Sequence, residues 1–146
     1  MKYTNEIVID LPLNRVIELF DDPANLKKWQ PDRVSYEHLD GIPGQPGARA
    51  KLIYKMGGKE VGMIETIHKR DLPREFSGTY EAKGVFNTIR NLFTAVGDKR
   101  TRYVVESDFK FTGLMKFMSI FMKGMFKKQT QKFLDQFKAF AEKEGK

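Results

Sequence analysis

One feature near the end of the chain limits its folding choices most. From Leu114 to about Lys143 the sequence runs without proline, and its apolar residues recur at helical spacing. A helix of about thirty residues is about 45 Å long at 1.5 Å per residue. At 100° per residue, Met115, Met118, Met122, Met125, Phe126, Phe133, Phe137 and Phe140 fall in one sector of about 120°. A stripe this continuous has to be buried against another layer, and a β-sheet covered by the helix supplies it. The stripe also changes along its length, from mostly Met to Phe alone. Methionine is flexible and polarisable, so it fills irregular gaps and suits a deformable wall.

The first half of this helix carries a second apolar side. Phe117, Ile120, Phe121 and Gly124 lie opposite the stripe, within about 100° of one another. Further along, that side carries Lys128, Lys132 and Lys138. A helix segment apolar on two sides needs two apolar partners. A partner subunit, a membrane surface, a bend at Gly124 or packing beneath a loop would each serve. Leu114–Phe126 does not span a bilayer: it is shorter than the roughly 20 residues required, and Lys116 and Lys123 interrupt it.

The net charge of +7 is concentrated in the same region. Leu114–Lys146 holds eight Lys against three acidic residues, whereas the first 113 residues are nearly balanced. Such a basic segment is either a solvated lysine face or a surface attracted to anionic lipid or nucleic acid. Nucleic acid finds little support, because the cluster lacks Arg and no aromatic strand platform accompanies it. The chain has 146 residues, the size of one domain, so a single domain over 1–146 is expected. The absence of Cys excludes disulfides and thiolate chemistry and fits a reducing cytoplasm. The opening MKYTNEIVIDLP lacks the long apolar stretch of a signal peptide.

Ahead of the long helix the pattern is mostly two-residue alternation. Residues 3–11 read as a strand around Ile7, Ile9 and Leu11, ended by Pro12. Asn14–Phe20 and Pro23–Trp29 read as two short helices separated by Asp22-Pro23. Six further strands are expected over 33–39, 48–56, 60–69, 75–83, 85–96 and 100–112. GIPGQPG, Gly57-Gly58, Asp71–Pro73 and GDKR supply turns between them. In the last strand Tyr103, Val105, Ser107, Phe109 and Phe111 share one face and Arg102, Glu106, Asp108 and Lys110 the other, as in an antiparallel sheet packed on one side. The class is α+β.

IVIDLPLNRVIELFDDPANLKKWQP at 7–31 combines a strand ending in a hydrophobic-x-Pro step, a helix with a Val/Ile–aromatic core, an Asp-Pro break and a Trp-x-Pro. With GIPGQPGARAKL at 41–52, ETIHKRDLPREF at 65–76, GDKRTRYVVE at 97–106 and the single C-terminal helix, the chain resembles the START-like superfamily. That group takes in polyketide cyclases and aromatases, pathogenesis-related allergens, lipid-transfer domains and ubiquinone-binding proteins. The resemblance covers nearly the whole chain and is stronger for fold than for function. It implies a helix-grip fold, in which a curved antiparallel sheet of about seven strands wraps the long helix. It also implies a cavity between the two for a hydrophobic ligand such as a lipid, quinone or polyketide.

Sites for other chemistry are not evident. His38 and His68 have no metal-ligand spacing, so neither a metal site nor a cofactor is expected, and His38 reads as structural. Trp29 reads as the anchor of the second short helix. No Ser sits in a G-x-S-x-G context. Glu65 has the parity of Val61, Met63 and Ile67; facing inward, it would be a carboxylate of raised pKa able to act as a base. A one-residue phase shift would point Ile64 inward instead. The phase of 85–96 is likewise open, which leaves Arg90 either reaching the cavity or facing solvent. Glu65, Tyr80 and Arg90 are thus the candidate catalytic groups. The expected cavity wall is Met115, Met118, Met122 and Phe126 from the helix, with Leu52, Tyr54, Met63, Tyr80, Ile89, Tyr103, Val105, Ser107 and Phe109 from the sheet. The favoured function is non-enzymatic carriage or sensing of a hydrophobic small molecule. The alternatives are a cyclase or aromatase in the same cavity, or membrane docking or dimerisation through Phe117, Ile120 and Phe121.

Overall fold

A computed structural model describes residues 1–146. The chain forms β1 (Lys2–Ile9), α1 (Leu13–Asp21), a 3₁₀ turn (Pro23–Asn25), α2 (Leu26–Trp29), β2 (Arg33–Asp40), β3 (Arg49–Met56), β4 (Lys59–Asp71), β5 (Glu75–Ala82), β6 (Val85–Val96), β7 (Arg100–Phe111) and α3 (Leu114–Gly145). The expected order of strand, two short helices, six strands and long helix is what forms. The strands make one antiparallel sheet in the order β1-β7-β6-β5-β4-β3-β2. Register shifts in β2 and β4 bend it. The fold is the helix-grip α+β architecture.

Local chemistry explains the breaks. Pro12 is extended and stands just before α1, where a missing N–H costs nothing. The Asp22 carboxylate accepts from the Ala24 N–H at 3.0 Å and starts the 3₁₀ turn, with Pro23 at its first position. Gly57 and Gly58 have φ of 57° and 81°, the left-handed pair that a tight hairpin between β3 and β4 requires.

The main cluster of core side chains lies at one end. Leu134, Phe137, Phe140 and Ala141 from the second half of α3 pack with Ile9, Val16, Leu19, Trp29, Phe93 and Tyr103. Phe137 is fully buried, and its ring meets Trp29 at 5.0 Å and Phe20 and Tyr103 at 5.9 Å, all edge-on. Trp29 thus anchors α2, as its position suggests. The start of β1 adds polar fastenings: Asn5 Nδ2 donates to Lys127 O at 3.1 Å and Gln131 Oε1 at 3.0 Å, and the Tyr3 hydroxyl lies 2.9 Å from Thr130 Oγ1. The α3 backbone lies along β1, β7, α1 and α2, with only isolated approaches to the other strands.

Ahead of Phe126 the helix leaves this packing. Leu114, Phe117, Ile120 and Phe121 are 73–88% exposed, and Met118 and Met125 more than half exposed. No loop packs over the second apolar side.

These two halves should respond differently to truncation. Phe137→Ala should cost about 3–5 kcal/mol of stability in urea unfolding, the range for a large buried aromatic. Phe121→Ala should change stability by no more than about 0.5 kcal/mol, as an exposed side chain does.

Candidate functional site

Residues directly opposite one another in an antiparallel sheet share a face, so the register assigns every strand position. Burial of Thr101, Tyr103, Val105, Ser107 and Phe109 identifies the concave face on β7. Following the pairs outward puts Val85, Asn87, Ile89, Asn91 and Phe93 of β6 on that face. Phe76, Gly78, Tyr80 and Ala82 of β5 follow, then Met63, Glu65 and Ile67 of β4 and Ala50, Leu52 and Tyr54 of β3. Both open phases are thereby decided: Glu65 faces inward and Ile64 outward, and Ile89 faces inward and Arg90 outward.

Two cross-strand rows carry the polar chemistry. In the first, Ala50, Glu65, Tyr80, Asn87 and Phe109 lie side by side across β3 to β7. The Tyr80 hydroxyl donates to Glu65 Oε2 at 2.8 Å. In the second, Ile67, Gly78, Ile89, Ser107 and Tyr3 are neighbours. Gly78 leaves the middle of this row without a side chain. A Cβ there would stand 2.5 Å from Thr66 O, so the close approach of β4 admits only glycine. Asn87 Oδ1 and Ser107 Oγ, both in buried residues, have no hydrogen-bond partner. A buried polar atom without a partner is costly, and a bound ligand is one way to satisfy it.

Burial sets the titration behaviour of the dyad. It pushes the Glu65 carboxyl above its ordinary value, against smaller opposing effects of the Tyr80 hydrogen bond and the Arg33 charge. It raises the Tyr80 phenol well above its ordinary value, reinforced by the neighbouring Glu65 charge. Tyr80 is therefore a proton-bearing donor throughout the physiological range, and Glu65 is its acceptor. Tyr54, raised mainly by burial, donates to Gln30 Oε1 at 2.9 Å.

The expected wall residues fall into three groups. Leu52, Tyr54, Met63, Tyr80, Ile89, Ser107 and Phe109 lie on the concave face away from the core cluster's centre. Tyr103 and Val105 share that face but belong to the packed core, with Tyr103 stacked on Phe93 at 4.5 Å. From the helix, Met115 sits against Gly84, Met122 is partly buried, and Phe126 stacks on Phe109 at 4.8 Å. Met118, at 51% exposed, turns out to solvent, because the first half of α3 stands off the sheet. Arg90 is on the convex face, donating to Glu75 at 3.1 Å and Glu106 at 2.7 Å, and so is not with Glu65 and Tyr80. His38 lies on the exposed edge strand, its Nε2 2.8 Å from Gly41 O.

Asn87 and Arg33 escaped the sequence reading. Asn87 was legible in principle: Val85, Ile89 and Phe93 recur at even spacing, which puts Asn87 on their face. Arg33 carries no such signal; its guanidinium lies 5.5 Å from the Tyr36 ring at the β2 edge. An open cleft of about 500 Å³ also flanks α3, but Met125 is its one apolar lining residue beside Gly124, Lys128, Gln129 and Lys132. The concave face, not this cleft, suits an oily molecule. No group of three or more His, Cys, Asp or Glu is placed to hold a metal ion, and no helix is long and apolar enough to cross a membrane.

The sequence matches the family model described as polyketide cyclase/dehydrase and lipid transport over residues 1–142. The chain belongs to that family. The polyketide cyclase/dehydrase and lipid transport fold is shared with several solved structures. The Zhui aromatase/cyclase from a Streptomyces species superposes with a TM-score of 0.83 at 14% identity, over 97% of this chain and 93% of that one. A START superfamily protein from Mycobacterium smegmatis gives 0.78 at 12% identity, over 97% of both chains. A protein from Thermus thermophilus gives 0.78 at 17% identity, also over 97% of both. At these identities the likeness is one of fold. Among curated proteins the sequence finds no match.

The buried carboxyl makes a pH prediction for this family member. Because the Glu65 pKa is raised on folding, the folded state holds its proton to higher pH than the unfolded state does. Stability contributed by this group is thus greatest at low pH and falls as pH rises from the ordinary carboxylate value near 4.5 through the folded value. Glu65→Gln keeps an acceptor for Tyr80 and removes the charge. Its melting temperature should exceed that of the wild type at pH 7, and the difference should vanish near pH 4.

Proposed function

We propose that this protein binds a hydrophobic small molecule with a polar head, of the lipid, quinone or polyketide class, on the concave face of the sheet. It would act as a carrier or sensor without chemistry. The observation that carries this reading is the pair of partnerless buried acceptors, Asn87 Oδ1 and Ser107 Oγ, on a face otherwise lined by Leu52, Met63, Ile67 and Ile89. A site of this kind is mostly apolar, with a few polar groups that orient the ligand. Gly78, which has no side chain, stands between Tyr80 and Phe76 on this face. Met115 and Met122 supply an adaptable outer wall. The family description, which includes lipid transport, is consistent with it. Apolar burial would drive binding at about 25 cal/mol per Å².

Native mass spectrometry of the purified protein should detect a co-purified lipid, quinone or polyketide. After its removal, Ser107→Ala should leave the empty protein at least as stable, because it deletes an unsatisfied buried group. The same change should weaken rebinding about three- to tenfold, the cost of one lost hydrogen bond. A protein that purifies empty and takes up no apolar fluorophore would end the reading.

A second reading rests on the Tyr80–Glu65 hydrogen bond. A buried carboxylate of raised pKa next to a phenol donor is suited to proton abstraction beside a carbonyl, the step that enolisation and ring closure of a polyketide need. The family description and the Zhui aromatase/cyclase make that substrate class the one to try. Tyr80→Phe should then abolish turnover of a poly-β-carbonyl chain while leaving its affinity intact. Unchanged turnover would leave the carrier reading alone.

A further inference from the structure

Six of the thirteen large hydrophobic side chains that are exposed in this chain fall within twelve residues of α3: Leu114, Phe117, Met118, Ile120, Phe121 and Met125. No segment of the chain covers them. A Cβ built on Gly124, in their midst, meets nothing within 4 Å. Burial of Met115 and Phe126 fixes the opposite side of the helix toward the sheet, so the exposed side is held outward.

The charge around this face has one sign. Lys116, Lys123, Lys127 and Lys128 fall between Leu114 and Lys128, and no acidic residue does. The lysines that make ion pairs in this chain are Lys69, Lys132, Lys138 and Lys146, so these four are unpaired. The start of α3 has no side-chain cap and no acidic residue in its first turn, leaving the positive end of the helix dipole uncompensated. The antiparallel topology brings the β5–β6 turn with Lys83 and the β3–β4 hairpin with Lys55 and Lys59 to the same end of the sheet, against Glu60 and Glu81.

We propose that the first half of α3 docks this protein onto an anionic lipid bilayer. Phe117, Ile120 and Phe121 enter the boundary between headgroups and acyl chains. Lys116, Lys123 and Lys127, on the adjoining strip of the helix, extend along it and meet the phosphates. A second copy of the chain is the less suitable occupant. Pairing two such helices would bring their lysines together with no acidic residue on the segment to offset them. Docking does not depend on what the concave face binds.

Vesicle flotation tests this on the whole protein. It should bind vesicles of phosphatidylcholine mixed with phosphatidylglycerol, bind phosphatidylcholine alone far less, and come off in high salt as the charges are screened. Phe117→Ser/Phe121→Ser should lower partitioning at least tenfold. Lys116→Ala/Lys123→Ala should lower it about twentyfold at low salt, from about fivefold per lysine at an anionic surface. All four side chains are exposed, so the circular dichroism and melting temperature of each variant should match the wild type. Equal binding to both vesicle types, or to neither, overturns the proposal. A wild-type dimer by light scattering that Phe117→Ser/Phe121→Ser turns into a monomer, without vesicle binding by either, also overturns it and assigns the face to a second copy.

Discussion

Phe137 is the point at which the three layers of this molecule meet. Its ring is enclosed by Phe20 of α1, Trp29 of α2 and Tyr103 of the sheet, and it has no exposure to solvent. Truncating that ring would open a cavity facing all three at once. The two helices beside it are short: α1 has nine residues and α2 four, too few to be stable in isolation. They persist because α3 closes over them. The tight end of the helix reinforces this, since a Cβ on Gly145 would stand 2.6 Å from Leu11 Cδ1.

That clamp has a consequence at the other end. The helix is fixed by its second half against β1, α1 and α2, and its first half carries the exposed side chains. Toward the start of the helix, Phe126 is the last aromatic to stack on the sheet, and most side chains before it are exposed. The concave face opposite carries apolar side chains, among them the buried Leu52, Tyr54 and Ile67, and a few polar atoms, all outside the Phe137 cluster. Two of the buried polar atoms with no partner, Asn87 Oδ1 and Ser107 Oγ, lie on this face. The change from Phe to Met along the stripe follows the same division: rings where packing is fixed, thioethers where the facing surface is uneven.

The strands were legible because alternation and turn chemistry agree along 33–112. Gly57-Gly58, Asp71–Pro73 and the GDKR turn each sit where the structure turns. Glu65 was legible only as a choice between two phases. A lone carboxylate inside an apolar alternation violates the pattern that would place it, and the register with Tyr80 was needed to decide. Arg90 shows the opposite case. It sits in a strand buried enough to blur the period, and its position follows from Glu75 and Glu106 on neighbouring strands, which sequence spacing does not bring together.

The amino-acid order alone determined that a long helix with an apolar stripe covers an antiparallel sheet. Periodicity is a local property, and both elements are long enough to display it. It also determined that the first half of that helix is apolar on two sides, since a helical wheel needs no tertiary information. What lies against each side was decided by the tertiary structure. The stripe at Met118 and Met125 meets solvent, and the patch at Phe117, Ile120 and Phe121 is left bare. Neither follows from residue type, because both depend on how the helix, fixed at Phe137, lies against the sheet.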